Sequence, residues 1–404
     1  MNQPMKIIIA GGHEFPEGGG GAPRCMHMLA KGFALHGHSV LVATTYGSWE
    51  GASSIVLDGF RARCFGNGTP RGNKIHVMFD RVRSHLMLLV YLLRMTVKNE
   101  YDMLLFYGPV ISFAVVATFG RFFKRKTAYL MADIQPTPPG MYLSLKIKRL
   151  VSEFVDFLLA KSSSLMIVLG TSALQGHYRR IAPNTKDVRI WAPTDTELFA
   201  SGDGGRIRQR YRLLGRKIVC YSGALDILEG VHLLIAAIKL VAVKHPEVVL
   251  VIAGPESDTD RVVGEKVDFR EMASKRGIED KVIFTGHMPQ DEIIDLLAAS
   301  DVLVMPKINH PMNHFASPIK IAEYLAAGRP VVSSNICEMG MVLEHMENVL
   351  FCEPGNIEEL AESIERVFND EALRRKLAGN AKKVAKLVFD YRACTKLILD
   401  EINA

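Results

Sequence analysis

The stretch from Ser317 to Pro330 has the residue types of a helix that begins at a phosphate. Ser317 belongs to the types favoured at N-caps, and Pro318 suits the first helical position. Gly328, followed by Pro330, predicts the end of the helix before a strand at Val331–Ser334. The pattern therefore predicts a short helix with a well-defined start.

Two charged side chains follow that start. Lys320 lies in the first turn, where backbone amides and the positive end of the helix dipole also attract an anion. Glu323 is three residues further along and shares a helix face with Lys320. We expect a ligand with a phosphate near Lys320 and ribose hydroxyls that donate to Glu323. The alternative is a solvated Lys–Glu pair on the surface.

A glycine-rich segment, His13–Arg24, separates the first apolar run from the first helical pattern. Open α/β sheets bind ligands beyond the carboxyl ends of their strands, and consecutive glycines let backbone amides approach an anion or a sugar closely. The segment is thus a candidate ligand-binding loop, and its alternative is a flexible surface loop.

The elements that would position these residues follow a βαβ rhythm. In the first half, apolar runs at Lys6–Ala10, Ser39–Thr44 and Met103–Phe106 alternate with helical patterns. The rhythm restarts after Asp195, with the predicted strands Lys217–Tyr221, Val248–Ala253, Lys281–Phe284, Val302–Met305 and Val331–Ser334. The 404 residues therefore predict two doubly wound α/β domains with parallel sheets, joined by a hinge in Ile190–Arg212.

Composition excludes several classes of protein. Hydrophobic residues at 48% and charged residues at 23% exclude wholesale disorder and a fibrous architecture. The net charge of +6 suits a phosphorylated ligand or an anionic membrane surface and is too small for a dedicated nucleic-acid binder. Six scattered cysteines without a C-x-x-C pair indicate a reducing cytosol. Met103–Phe119 is predicted to be a buried strand and a buried helix rather than a membrane span.

Several short motifs together resemble a known family, the retaining GT-B glycosyltransferases of family four. The resemblance covers nearly the whole chain and is greatest for the branch whose donor helix has the pattern S-P-x-K-x-x-E-Y. Thr194–Phe199 is similar to the hinge entry of that family. The other motifs that carry the resemblance are the glycine-rich loop, Gly37-His-Ser-Val40, Gly223, Val251-Ile-Ala-Gly254, Phe284-Thr-Gly286 and Ser317–Tyr324.

The resemblance implies two Rossmann-like domains that face an interdomain cleft. Residues 1–193, with a crossing helix at about 389–404, would bind the acceptor, and residues 194–388 would bind a nucleotide-sugar donor. Transfer would retain the anomeric configuration without metal or other cofactor. The acceptor would be a glycan or a lipid-linked glycan of a bacterial surface polysaccharide, and the sugar a hexose. The protein would be cytoplasmic, with peripheral contact to the anionic inner face of the plasma membrane.

The same resemblance assigns roles to individual residues. Glu323 corresponds to the second Glu of the E-x7-E motif of the family, which binds the donor ribose, and Lys320 would lie near the diphosphate. Gly20 and Gly21 match the paired glycines that lie against the donor phosphates. The predicted donor-binding residues are Gly20, Gly21, Arg24, Gly223, Gly286, Ser317, Ile319, Lys320, Ile321 and Glu323.

Catalysis is assigned to Lys320 and Asp133. Ala132-Asp-Ile-Gln-Pro136 is similar to the R-D-L-W-P pattern of the branch, which places Asp133 at the reacting centre or at the acceptor hydroxyl. Ala132 and Gln135 replace the Arg and the Trp of that pattern. The alternative is that Asp133 caps the loop after the predicted strand Thr127–Met131.

The chain departs from the family at charged positions. Phe315 stands where the first Glu of E-x7-E is expected, Ala224 stands where the family has Arg, and Glu229 stands where it has Lys. The two missing cations normally neutralise the diphosphate, and losing one such partner can lower the rate by about 10²–10³. A binding subunit without catalysis is therefore a second hypothesis, and a nucleotide-sugar epimerase is a third.

Two patterns are not expected to hold a metal ion, although His310 and His314 could take part in the donor pocket because they precede Ser317. Asp258-Thr-Asp260 matches the D-x-D of metal-dependent transferases but lies in a polar loop. His310 and His314 are four residues apart, with Pro311 between them interrupting the helix that would align them as ligands.

The stretch Arg81–Arg94 mixes basic and apolar residues, and basic clusters follow at Arg121–Lys126 and Lys146–Arg149. These segments could lie on anionic lipid or pack on the sheet.

Overall fold

The computed structural model describes residues 3–16, 21–47, 53–66, 74–132, 143–257, 259–260 and 262–403. They divide into two compact units, an N-terminal unit within Met1–Pro193 and Tyr391–Ala404 and a C-terminal unit, Thr194–Asp390. Each unit is an α/β layer structure around a parallel sheet, which confirms the predicted fold class of two doubly wound domains.

The strands of both units are short and lie in the following positions. They are β1 (Lys6–Phe15), β2 (Ser39–Gly47), β3 (Ser54–Leu57), β4 (Phe60–Cys64), β5 (Met103–Tyr107), β6 (Thr127–Met131), β7 (Leu165–Leu169), β8 (Lys186–Ile190), β9 (Lys217–Ser222), β10 (Val248–Ala253), β11 (Val282–Gly286), β12 (Val302–Met305), β13 (Val331–Ser334) and β14 (Leu350–Cys352).

The helices alternate with these strands. They are α1 (Gly21–Leu35), α2 (Lys74–Lys98), α3 (Ile111–Phe122), α4 (Leu143–Ser162), α5 (Ser172–Ile181), α6 (Thr196–Phe199), α7 (Gly204–Arg210), α8 (Val231–Lys244), α9 (Phe269–Lys275), α10 (Gln290–Ala299), α11 (Ile319–Ala327), α12 (Ile357–Asn369), α13 (Glu371–Val384) and α14 (Tyr391–Asn403).

The two sheets have the strand orders of doubly wound folds. In the N-terminal unit the order is β3-β4-β2-β1-β5-β6-β7-β8, and in the C-terminal unit it is β11-β10-β9-β12-β13-β14. The strands β5, β6 and β10 are buried along their whole length because helices cover both faces of the sheet. This two-sided burial is why such strands are continuous apolar runs in the sequence.

One strand pair departs from the predicted parallel arrangement. β3 and β4 pair antiparallel as a hairpin, with Leu57 opposite Phe60. Asp58 and Gly59, the two turn residues, both have positive φ, at 42° and 83°. A two-residue turn with both φ values positive matches the twist of an antiparallel pair, so these residues set the reversal at the sheet edge.

One prediction about the helices is wrong in detail. The helix predicted to be buried, α3, leaves Ile111, Phe119 and Phe122 exposed. Near the end of the chain a π-helical segment, Ala385–Phe389, separates α13 from α14, and Leu387 within it is exposed. No helix in the described part of the chain is long and apolar enough to cross a membrane.

The last helix, α14, packs within the N-terminal unit against α1 and β8. The two helices approach closely at Gly32, where a Cβ would lie 2.5 Å from the Thr395 hydroxyl. The Thr395 hydroxyl donates to the Tyr391 carbonyl in the preceding turn, at 2.7 Å, which limits its freedom to move. Gly32 therefore sets the distance between α1 and α14.

We expect Gly32→Ala to destabilise the protein by about 1–3 kcal/mol, because the added methyl must push α14 away from α1. Gly379→Ala on α13 is the matched control, since nothing lies within 4 Å of a Cβ there. Alanine is the better helix former by about 1 kcal/mol, so the control should be neutral or stabilising. Thermal unfolding of both variants checks this, and equal melting temperatures would contradict the close contact.

Candidate functional site

Three glycines meet where β9, β10 and β11 end. Gly223 follows β9 with φ +151°, and Gly254 follows β10 with φ +150°. The Gly254 amide donates to the Gly286 carbonyl at the end of β11, at 2.8 Å. A Cβ at Gly254 would lie 1.8 Å from the Gly223 carbonyl oxygen, so the backbones approach too closely for any side chain. This is the carboxyl edge of a parallel sheet, where α/β folds bind ligands.

The loop after β9 is fixed by carboxylates that accept backbone amides. Asp226 Oδ1 accepts from the Leu228 amide at 2.7 Å. Asp260 Oδ2 accepts from the Ile227 amide at 2.6 Å. The loop ends at Gly230, whose φ is +77° and where a Cβ would lie 1.8 Å from the Pro306 carbonyl oxygen. The loops after β9 and β12 are therefore held against each other at Glu229 and Lys307.

A buried carboxylate between two ammonium groups lies at this junction. Lys307 Nζ donates to Glu229 Oε1 at 2.7 Å, and Lys320 Nζ donates to Glu229 Oε2 at 2.5 Å. The side chains of Lys307, Glu229 and Lys320 are 5%, 10% and 13% exposed. We call these three residues the Lys–Glu–Lys cluster. The cluster thus places two basic groups and one acidic group at the carboxyl edge of the sheet. Burial lowers the pKa of Lys307, and the adjacent Glu229 carboxylate opposes that shift.

Neutral groups accept a further hydrogen bond from each of the two lysines. Lys307 Nζ also donates to Asn313 Oδ1 at 3.1 Å. Lys320 Nζ donates to the Tyr221 hydroxyl at 2.9 Å, and that hydroxyl donates to the Ala224 carbonyl at 2.7 Å. Satisfying each buried polar atom in this way is what makes a buried charge cluster tolerable.

The electrostatics of the cluster keep Glu229 ionised. Burial alone would raise the pKa of this carboxyl, because a charged group is poorly solvated in the interior. The Lys320 and Lys307 ammonium groups outweigh burial and hold the pKa of Glu229 well below its usual range. Glu229 is therefore a permanent anion at neutral pH, and both lysines are oriented by it.

Helix α11 places Lys320 over Gly223. A Cβ at Gly223 would lie 2.7 Å from Lys320 Nζ, so the glycine makes room for the ammonium group at the end of β9. Glu323 is one turn further along α11 and 5% exposed. The next residue, Tyr324, fixes the helix to β9, because its hydroxyl accepts from the Ser222 amide at 2.7 Å and donates to the Ser222 carbonyl.

The start of α11 differs from the prediction by one residue. Pro318 rather than Ser317 occupies the N-cap, with extended backbone angles, and the helix begins at Ile319. Proline offers no side-chain acceptor, so the cap has no side-chain hydrogen bond. Ile321 is fully buried and its amide donates to the Pro318 carbonyl at 3.3 Å, so Ile321 packs in the core. The predicted end at Gly328 is confirmed, with φ +65°.

The predicted residues of the N-terminal unit are described in part. Gly21 is the first residue of α1, and Arg24 is exposed in its first turn. His13, near the end of β1, has its ring edge-on to that of Tyr107 at the end of β5, with centroids 5.8 Å apart. Gly20 lies outside the described residues, and so does Asp133, the catalytic residue predicted for this unit.

The polar motifs predicted not to bind a metal ion have structural partners. Asp260 Oδ1 accepts from the amides of Val262 and Val263, and its other oxygen holds the loop after β9. Asp258 is outside the described residues. His310 accepts from the Met312 amide, and the His314 ring hydrogen-bonds Asn309. Within the described ranges, no three His, Cys, Asp or Glu residues form a group that could hold a metal ion.

Lys307 is the site residue that the sequence analysis missed. Ala224 and Glu229 appeared to remove the cations near a diphosphate, but Lys307 supplies a cation beside Glu229 from a different loop. The sequence does carry a signal for it, a lone Lys two residues after the apolar strand β12 and hence at the carboxyl edge of the sheet.

Comparison with known proteins supports the fold of the chain. Residues 205–384 match the family model described as glycosyl transferases group 1, and this range contains the whole Lys–Glu–Lys cluster. Over 99% of this chain and all of that one, the structure of Anabaena HepE in complex with UDP superposes with a TM-score of 0.70 at 21% identity. WaaG, a glycosyltransferase involved in lipopolysaccharide biosynthesis, superposes with a TM-score of 0.67 at 17% identity, over 98% of this chain and all of WaaG.

The chain has the GT-B fold. The curated relatives match it over shorter stretches. The glycogen synthase of Mycobacterium tuberculosis is 29% identical over 172 residues, 43% of this chain and 39% of that enzyme. Mannosylfructose-phosphate synthase of Agrobacterium fabrum is 26% identical over 208 residues, 51% of this chain and 44% of that enzyme. The matches thus span less than half the length of these relatives.

Replacing the central carboxylate should expose the energetics of the cluster. We expect Glu229→Gln to destabilise the C-terminal unit by about 3–5 kcal/mol, because it leaves two buried ammonium groups without an anion. Lys307→Met should be less damaging, since Glu229 keeps Lys320, and the double variant should lose less than the two single losses added together. Urea unfolding measures all three.

An exposed ion pair provides the control for this series. Lys275 and Glu271 pair on α9 at 2.8 Å with both side chains more than half exposed. Glu271→Gln should change the free energy of unfolding by at most about 1 kcal/mol, because exposed pairs contribute little. Equal losses for Glu229→Gln and Glu271→Gln would contradict the buried cluster.

The depressed pKa of Glu229 makes its contribution depend on pH. The contribution is fully present above the carboxyl pKa of the unfolded chain, near about 4.3, and is lost as the pH falls further toward the pKa of the folded state. The stability difference between the wild type and Glu229→Gln should therefore be constant from about pH 7 to 5 and shrink below about pH 4. A difference that stays constant on acidification, measured by urea unfolding, would show that Glu229 is not held ionised.

Proposed function

We propose that the chain is a retaining glycosyltransferase that moves a hexose from a nucleotide-diphosphate sugar to a hydroxyl of a glycan or lipid-linked glycan. The observation that carries the proposal is the position of the Lys–Glu–Lys cluster at the carboxyl edge of the C-terminal sheet, beside Gly223 and the first turn of α11. Lys320 would contact the diphosphate, and Glu323 would accept from the ribose hydroxyls.

The chemistry asked of this site is stabilisation of a leaving group. When the bond between the anomeric carbon and the phosphate oxygen breaks, negative charge develops on the departing diphosphate. Fixed positive groups aimed at that charge lower the barrier without reorganising during the reaction. Glu229 fixes the Lys320 ammonium in position, and Lys307 offsets the negative charge of Glu229. In this proposal these protein groups act without a divalent metal.

The relatives support the class of donor and acceptor. HepE has been crystallised with UDP and with UDP-glucose, which are nucleotide and donor ligands of the kind proposed here. The description of WaaG links it to lipopolysaccharide, a bacterial surface glycan. For this chain we propose a role in bacterial surface polysaccharide synthesis at the cytoplasmic side of the membrane, with Asp133 of the N-terminal unit near the acceptor hydroxyl.

A second function is favoured by one observation. Both lysines of the cluster already hydrogen-bond Glu229, and Ala224 leaves no cation at its own position. If donor phosphates cannot compete with this carboxylate, the chain would bind a nucleotide sugar or a glycan without turning it over, as a partner subunit. Sugar transfer by the isolated protein would exclude this function.

Thermal shift with UDP-, GDP- and ADP-sugars, with and without magnesium, tests the donor site. We expect one donor series to raise the melting temperature by the same amount with and without metal. Glu323→Gln should weaken that donor by about 10- to 100-fold, because a hydrogen bond to a charged acceptor is lost. Failure of every nucleotide sugar to stabilise the wild type would contradict the assignment.

Turnover measurements with the same nucleotide sugars separate effects on catalysis from effects on binding. Lys320→Met should lower kcat by about 10²–10³ for the donor that stabilises the protein, since one positive partner of the leaving group is lost. Nuclear magnetic resonance of the first product formed reports whether the anomeric configuration is retained. Lys275→Met, on the exposed side of α9, is the matched control and should leave kcat unchanged.

A further inference from the structure

The three helices on one side of the N-terminal sheet have apolar outer faces. Helix α3 packs beside both α2 and α4, so the three form one layer. Among the described residues, 28 large hydrophobic side chains are exposed, and 17 of these lie on α2, α3, α4 or at Phe123 directly after α3. The exposed apolar surface of the chain is thus concentrated in one layer, which we call the α2–α4 face.

The spacing shows that each helix contributes a stripe rather than scattered residues. On α2, Val82, Leu86 and Val90 are four residues apart and more than half exposed. On α3, Ile111, Val115 and Phe119 have the same spacing and continue to Phe122, which is 81% exposed. On α4, Ile147, Leu150 and Phe154 follow one face and are all more than half exposed. A helix normally turns such a stripe toward its own core.

Positive charge accompanies the apolar stripes. Together α2, residues 111–126 and α4 contain thirteen Lys or Arg residues and three Asp or Glu residues, while the whole chain has 49 and 43. The excess within the layer is larger than the net charge of +6, so the rest of the chain is net acidic. Positive charge is therefore concentrated in the segments that form this layer.

A basic pocket lies at one edge of this layer. It has a volume of about 460 Å³, and Arg121, Lys124, Arg125, Lys126 and Lys161 line it, with no acidic residue among its described lining residues. Arg121 donates to the Lys161 carbonyl, which joins the ends of α3 and α4. The highly exposed Phe122 and the adjacent Phe123 belong to the same turn and loop that supply these cations.

We propose that the α2–α4 face docks on an anionic phospholipid bilayer. The apolar stripes would lie at the boundary between headgroups and acyl chains, and the basic pocket would take lipid phosphates. Amphipathic helices with Lys and Arg beside a large apolar face bind membranes in this way without spanning them. The proposal does not depend on sugar transfer, and its test needs no activity.

Charge argues for lipid over a second copy of the chain. A two-fold dimer formed through this face would bring the same positive surface against itself, and like charges across an interface are unfavourable. An anionic bilayer complements the face in both respects, because it accepts apolar side chains and neutralises the cations. Self-association through this face is the competing outcome of the experiment.

Vesicle flotation of the full chain tests the proposal. We expect binding to vesicles of equal parts phosphatidylcholine and phosphatidylglycerol, and weak binding to phosphatidylcholine alone. Phe122→Ser with Phe154→Ser should lower the partition coefficient at least about tenfold, because two large apolar side chains no longer enter the bilayer. Val243→Ser with Leu214→Ser is the matched control, since both are at least 72% exposed in the C-terminal unit.

A second set of variants, with charges reversed, separates the contribution of the basic pocket to binding from that of the apolar stripes. Lys124→Glu with Lys126→Glu should lower binding to anionic vesicles at least about fivefold per residue, whereas Lys266→Glu with Lys275→Glu in the C-terminal unit should not. Three results would each overturn the proposal. One is that the wild type does not float with the vesicles, and another is that the Phe122/Phe154 variant floats as well as the wild type. The third is a dimer, detected by size-exclusion chromatography, that depends on these residues in a protein that does not bind vesicles. Unchanged melting temperatures show that the variants are folded.

Discussion

Glu229 is a buried carboxylate held between two buried ammonium groups, and much of the C-terminal unit is arranged around it. Any one of these three ions would be strongly unfavourable if it were buried without the other two. The cluster is tolerable because its members come from three different segments in fixed register: the loop after β9, the loop after β12 and the first turn of α11. The close approach at Gly230 and the carboxylates of Asp226 and Asp260 hold that register.

The same cluster explains how a site can keep its charge while losing the residues expected to supply it. Glu229 stands where the resemblance to family-four glycosyltransferases predicts a cation, which in isolation suggests a weakened anion site. The structure puts Lys307 against that carboxylate, so a basic group from another loop offsets the acidic one. A change of sign at one position is therefore compatible with the same electrostatic task, provided that a neighbouring strand end supplies the compensating lysine.

The sequence predicts buried parallel strands well and contacts between loops poorly. β6, β10, β12 and β13 have the predicted bounds, because strands buried on both faces are continuous apolar runs that end at polar residues. The partner of Glu229 could not be predicted, because Lys307 is 78 residues away and only the meeting of two loops brings it near. The exposure of α3 was also missed, since an apolar helix has the same composition whether its outer face is covered by protein or not.

The two positive features of the chain differ in the dielectric that surrounds them, and this separates their roles. The cations of the Lys–Glu–Lys cluster are buried beside a fixed anion, so salt screens their interactions little. Those of the α2–α4 face lie on the surface, where interactions beyond about 10 Å are screened at ordinary ionic strength. Surface cations alone would therefore hold a membrane only weakly, and the apolar stripes supply the part of the affinity that salt does not remove. In the proposed docking, the face therefore needs Phe122 and Phe154 as well as its lysines.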